Sequence, residues 1–154
     1  ADRLVDELLA RGFADLTVLD VSEVGLAHAR RRLGLRAGRV TWLVADLLDW
    51  VPDRTYRVWH DRAVFHFMTT ESDRHRYLCA LEAATALGAV AIIGCFAPDG
   101  PQACSGLPVA RHDPAGIAAC LGARWQLVAV DREEHLTPSE AVQPFSWAVL
   151  RRVN

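Results

Sequence analysis

Leu16-Thr17-Val18-Leu19-Asp20-Val21-Ser22 is the stretch on which the fold turns. A short apolar run that ends in a carboxylate reads as a buried parallel strand. Ser22 is placed to cap a helix whose inner face carries Leu26, Ala29 and Leu33, and Gly34 ends that helix. The pattern then repeats, because the run 40–45 is again apolar and is followed by Asp46. Upstream, Leu4, Val5, Leu8 and Leu9 form a helical stripe closed by Gly12. Downstream, 56–60 reads as a third strand. The stretch 70–87 reads as a helix, with Thr70 as cap, Leu78, Leu81 and Ala84 on one face, and Gly88 as stop. Residues 89–96 make a fourth strand, apolar throughout. After a Pro- and Gly-rich loop at 97–112, Asp113 caps a short helix with Pro114 in its first turn and Gly122 past its end. The runs 125–130 and 145–150 have no helix between them and read as an antiparallel pair with a long connection. Alternating strands and helices predict an α/β fold: an open, mainly parallel sheet with helices on both faces and a C-terminal antiparallel strand pair.

The composition limits what such a domain does. Its 154 residues, 51% hydrophobic and 23% charged, suit a single globular domain. A net charge of −2 gives no electrostatic case for nucleic acid or an anionic membrane as partner. All 17 basic residues are arginine, which excludes a lysine Schiff base and a Walker-type phosphate loop. That usage, with the alanine richness, fits a high-GC bacterial genome. Cys79, Cys95, Cys104 and Cys120 contain no CxxC pair and read as reduced thiols, with a cytoplasmic setting as the default expectation. Arg30-Arg31-Arg32 with Arg36 and Arg39 reads as a solvated helix face. The five tryptophans read as core. Cys104, His112 and His135 match no metal-ligand spacing, so no metal is expected.

Sheets of this type bind ligands at the carboxyl ends of their strands, where Asp20, Asp46, His60 and Asp61 fall. A carboxylate at Asp20 is able to accept both hydroxyls of a ribose, with Val21 and Ser22 beside it; the alternative is a simple cap of the next helix. A carboxylate at Asp46 is able to accept from an adenine amine while the Leu47 N–H reaches a ring nitrogen. The segment Trp59-His-Asp-Arg-Ala-Val-Phe-His-Phe67 gathers charged and aromatic side chains after the third strand. Its plainer reading is loop packing with a local Asp61–Arg62 ion pair.

On these residues the chain resembles the class I S-adenosylmethionine-dependent methyltransferases, over nearly its whole length. Asp20 is similar to the family's ribose-binding acidic residue, and Asp46 to its adenine-side acidic residue. WHDRAVFHF resembles the fourth motif and the loop lining the methyl-transfer site. With FAPDGPQACSGLPV and REEH, it resembles a small bacterial group distantly similar to the thiopurine and protein-lysine methyltransferases. The resemblance implies a Rossmann-like fold, S-adenosylmethionine as cofactor, and a small molecule or protein side chain as methyl acceptor. The cofactor-binding set is Asp20, Val21, Ser22, Asp46, Leu47 and His60. His60, Asp61 and His66 are the candidates for positioning the acceptor or taking its proton, with His66 ranked below the other two. Arg62, Phe65, Cys104 and Arg111 are the acceptor-binding candidates, and the 97–112 loop is a substrate wall or lid.

The family's first strand and Gly-rich turn have no counterpart in the sequence, which opens at Ala1 directly into a helical pattern. The expectation is therefore a single, N-terminally truncated domain lacking the first, central strand, weakly stable and a poor cofactor binder by itself. Two other readings stand beside the enzyme: a truncated or degenerate fold that acts as a binding module, and a nicotinamide-binding Rossmann domain. Asp46 and the antiparallel final pair favour the methyltransferase. Oligomeric state is left open by the sequence.

Overall fold

The structure is a computed structural model that describes residues 3–154. The chain divides after Trp50 into two compact units.

In the first unit, α1 (Leu4–Ala10) is followed by β1 (Leu16–Asp20), α2 (Glu23–Leu33), a 3-10 segment (Gly34–Arg39) and β2 (Val40–Val44). Ser22 caps α2 as expected, its Oγ accepting from the Gly25 N–H at 3.0 Å. Gly34, at φ +58°, ends α2 in a backbone region that disfavours side chains. β1 and β2 pair in parallel, in register from Leu16 opposite Val40 to Asp20 opposite Val44. Leu9, Leu33 and Val40 are buried together, with Leu16, Val18 and Trp42 packed around them. Arg32 reaches from α2 to the Asp6 carboxylate at 2.7 Å and joins the two helices. Arg30 lies 5.5 Å from the Trp42 ring centre. Two residues of the arginine run are therefore used inside the unit.

The second unit holds β3 (Tyr56–Arg62), a single 3-10 turn (Phe65–Phe67), α3 (Glu71–Ala83), β4 (Thr85–Phe96), β5 (Ala103–Cys104), β6 (Leu107–Pro108), α4 (Pro114–Leu121), β7 (Trp125–Leu136) and β8 (Val142–Arg152). Its sheet has the order β3-β4-β8-β7. β3 and β4 are parallel, and both β4–β8 and β8–β7 are antiparallel. Tyr77, Leu81, Ile93, Ile117, Ala148 and Leu150 form the buried centre. Thr70 and Asp113 cap their helices with side-chain oxygens, as expected. Among the described residues β1 pairs only with β2, and β3 only with β4, so each keeps one edge without a strand partner. No described helix is long and apolar enough to cross a membrane.

Three expectations are corrected. The helix read over 70–87 stops at Ala83, and Gly88 lies inside β4. Arg152 of β8 donates to the Glu82 carbonyl at 2.8 Å, and the Thr85 hydroxyl takes the Leu81 carbonyl at 2.7 Å. These bonds satisfy the last turn of α3 from outside it. Gly88, at φ +83°, sits in the extra backbone that β4 carries between the Tyr56–Thr85 and Val58–Val90 pairings. The long connection between the last strands is also absent. β7 and β8 pair from Trp125–Arg152 to Leu136–Val142 and turn tightly over 137–141. Finally, the 97–112 loop contains the β5–β6 hairpin. Ser105 at φ +50° and Gly106 at φ +78° give it the two left-handed residues of a type I′ turn.

Candidate functional site

In the first unit, the parallel register of β1 and β2 brings two carboxylates to one edge. The Ala45 N–H donates to the Asp20 carbonyl at 3.1 Å, which fixes the two strand ends side by side. Asp20 Oδ1 accepts from the Ser22 N–H at 2.8 Å, and Asp46 Oδ1 accepts from the Leu48 N–H at 2.9 Å. Each side chain is thus oriented by its own following turn. The second oxygen of each accepts no hydrogen bond among the described residues, and both aspartates are exposed. Val21 and Val44 are exposed at the same edge. The arrangement offers two preset acceptors flanked by apolar surface. It suits a ligand with hydroxyl or amine donors on a flat, apolar body.

In the second unit, neighbouring residues of β3 face opposite ways, as strand geometry requires. Trp59 and Asp61 face α3. Asp61 is 5% exposed and both its oxygens are engaged. Oδ1 accepts from Val64 N–H at 2.9 Å, and Oδ2 accepts from Phe65 N–H at 3.0 Å and from the Tyr77 hydroxyl at 2.6 Å. Trp59 Nε1 donates to the Tyr77 oxygen at 3.1 Å. Burial pushes the Asp61 carboxyl up to about 6, against the pull of Tyr77 and the two amides. This carboxylate clamps the turn that carries Phe65 and His66.

On the other face of β3, the exposed His60 ring lies 5.5 Å from the Trp147 ring. Arg62 pairs with Glu133 at 3.0 Å and stacks 4.4 Å from the Phe145 ring centre. It is not the partner of Asp61. Glu133 also accepts from Trp147 Nε1 at 2.9 Å. Trp147 lies across Gly94, where an added Cβ would stand 2.7 Å from the indole. Gly94→Ala is therefore expected to displace Trp147 and lower stability by about 1–3 kcal/mol, read from the urea unfolding midpoint.

His66 is fully buried between Phe67 and Phe96, at ring distances of 4.6 and 4.7 Å. Its Nδ1 accepts from the Phe96 N–H at 3.4 Å, while its Nε2 has no partner. Burial, and then the nearby His112, lower its pKa to about 4. Phe65 is also buried, against Tyr77 and His112. Arg111 Nη1 closes the neck of the 97–112 loop on the Gly100 carbonyl at 3.1 Å, and the half-buried Cys104 sits in β5 of its hairpin. Cys95 is buried in β4, and burial pushes its thiol up to about 12. No group of three His, Cys, Asp or Glu suited to a metal occurs among the described residues.

The structure therefore brings Asp20 and Asp46 together, and separately Asp61, Phe65 and His66. His60 and Arg62 join a second cluster of β3, β7 and β8. Sequence reasoning missed Tyr77, Glu133 and Trp147. Only the REEH motif pointed toward β7, without naming Glu133 as its working residue.

The two perturbed groups have opposite effects on stability. The folded state binds the Asp61 proton more tightly than the ordinary value of 3.8 implies. Its contribution is full below pH 3.8 and lost as pH rises through about 6. His66 resists protonation, so its contribution is full above 6.5 and lost as pH falls through about 4. Removing the first should unmask the second. Relative to the parent, Asp61→Asn is expected to lose stability more steeply on acidification, read as the urea midpoint against pH.

No protein-family model matches the sequence, and no curated protein does. Solved structures do match. The N-methyltransferase NodS from Bradyrhizobium japonicum WM9 superposes with a TM-score of 0.77 at 16% identity, over 100% of this chain and 82% of that one. The 1,6-didemethyltoxoflavin-N1-methyltransferase of Burkholderia thailandensis, solved with bound 1,6-didemethyltoxoflavin and S-adenosylhomocysteine, gives 0.73 at 18% identity over 97% of this chain and 66% of that one. An S-adenosylmethionine-dependent methyltransferase from Mesorhizobium loti gives 0.70 at 16% identity over 96% and 85%. The chain has the α/β fold of the class I S-adenosylmethionine-dependent methyltransferases.

Proposed function

We propose that this chain is a class I methyltransferase. It moves the methyl group of S-adenosylmethionine to a small molecule or, as the alternative acceptor, a protein side chain. The observation that carries the reading is the pair of exposed carboxylates, Asp20 and Asp46, at adjacent ends of two parallel strands. Their open oxygens suit the two ribose hydroxyls and the exocyclic amine of an adenosine, and the Leu47 N–H suits a ring nitrogen. The solved neighbours with S-adenosylhomocysteine bound support the same ligand. The Burkholderia thailandensis neighbour, whose name gives 1,6-didemethyltoxoflavin, favours a small-molecule acceptor here.

Transfer from a sulfonium is an in-line displacement on an activated donor, so the protein chiefly supplies orientation. Asp61 is a positioning residue in this account: it holds the turn after β3 and does not touch the reacting atoms. His60 and Arg62 line the opposite face of β3. Titration with S-adenosylhomocysteine tests the reading, with NADH as the competing ligand. Saturable binding of the former and none of the latter is the expected outcome. Preference for NADH would move the chain to the nicotinamide-binding class. A folded chain that binds neither would fit both the non-catalytic binding module and a different ligand.

A further inference from the structure

Helix α3 turns one face to the sheet and the other to solvent. Tyr77, Ala80 and Leu81 are buried on the first, while His75 and Cys79 are exposed on the second. Residues four apart share a helix face, so this pair has the ligand spacing that Cys104, His112 and His135 lack. Cys79 Sγ lies 3.6 Å from His75 Nε2. A thiol–imidazole hydrogen bond accounts for that distance, and so does a shared metal ion. Zinc sits about 2.3 Å from a thiolate sulfur and about 2.0–2.1 Å from an imidazole nitrogen. At a tetrahedral angle those two bonds hold sulfur and nitrogen about 3.5–3.6 Å apart. The helix therefore sets the two donors at the bite of one zinc ion in advance. Thiolate with imidazole is also a soft-to-borderline donor set, which selects zinc or cadmium over magnesium or calcium.

We propose that His75 and Cys79 form a two-ligand surface site for a thiophilic divalent cation of the zinc class. Binding forms one bond from Sγ and one from Nε2, and the thiol proton goes to water. The ring keeps its proton on Nδ1 and gives the Nε2 lone pair to the metal. No group of three His, Cys, Asp or Glu suited to a metal occurs among the described residues, so water fills the other two positions of a four-coordinate ion. Glu82, the acidic residue three places beyond Cys79, is held by Arg124 at 2.9 Å. The site lies wholly on α3 and does not depend on the methyltransferase reading.

Alkylation of the whole reduced chain with iodoacetamide, read peptide by peptide in a mass spectrometer, tests the site. Saturating zinc is expected to slow modification of Cys79 about tenfold or more, because a metal-bound thiolate does not attack. Magnesium at the same concentration is expected to leave the rate unchanged. His75→Ala is expected to remove most of the zinc protection at Cys79. Cys104, whose Sγ lies 4.0 Å from the Ser105 hydroxyl, is the internal reference and should be protected far less. No protection of Cys79, equal protection in His75→Ala or at Cys104, or protection by magnesium overturns the site. Nitrogen-15 spectra of the parent chain give a second reading that needs no variant. Zinc is expected to shift the Nε2 signal of His75, and an unmoved signal at saturating zinc overturns the proposal.

Discussion

Replacing Asp20 by alanine is expected to weaken S-adenosylhomocysteine binding roughly 30- to 160-fold, or about 2–3 kcal/mol. The carboxylate already spends Oδ1 on the Ser22 N–H, which presets its direction. Oδ2 is left to accept from the ribose, and hydrogen bonds to a charged acceptor are worth about 1.5–3 kcal/mol. Part of the loss comes from the freed Ser22 turn, so Asp20→Asn, which keeps an oxygen for that turn, should lose less than alanine. Asp46→Ala should lose less again, because a carboxylate meets the exocyclic amine at a single nitrogen, whereas the ribose presents two separate hydroxyls to Asp20. Calorimetric titration of the three variants gives this order directly. Equal losses at both positions would point to a general charge effect instead of a ribose contact.

Asp61→Ala is expected to cost about 3–5 kcal/mol of folding stability. Three buried donors converge on this carboxylate: Val64 N–H, Phe65 N–H and the Tyr77 hydroxyl. Alanine leaves all three without a partner and opens a void beside Phe65. Tyr77→Phe removes one donor only, and also takes the acceptor from Trp59 Nε1. It should cost less, about 1–2 kcal/mol. Urea denaturation followed by tryptophan fluorescence measures both. A loss in Asp61→Ala no larger than in Tyr77→Phe would mean that the turn after β3 holds without its clamp.

The strands that carry the nucleoside edge were legible because their signals are local. A largely apolar run ending in aspartate says both where β1 stops and what it presents, and the same pattern marks β2, which stops at Val44, two residues before Asp46. Helix starts were legible for the same reason, since Ser22, Thr70 and Asp113 each act within three residues. The stop of α3 was not. A glycine serves a helix end and a strand bulge equally well, and the groups that end α3 come from Arg152, far along the chain.

The role of Asp61 was hidden by a similar distance. Adjacent residues of β3 face opposite ways, and nothing local tells which of His60 and Asp61 meets α3. The helix face read from Leu78, Leu81 and Ala84 passes beside Tyr77, the residue that decides it. Arg62 next to Asp61 in sequence suggested an ion pair, yet its guanidinium crosses the sheet to Glu133.

The central claim is that the Asp20 and Asp46 strand ends form one half of a nucleoside site. The most direct test is amide chemical-shift mapping of the chain during titration with S-adenosylhomocysteine, which reports weak as well as tight binding. The account predicts saturable shifts concentrated at Val21, Ser22, Leu47 and Leu48, abolished together by Asp20→Ala. Shifts confined to other parts of the folded chain, or none at ligand excess, would contradict it.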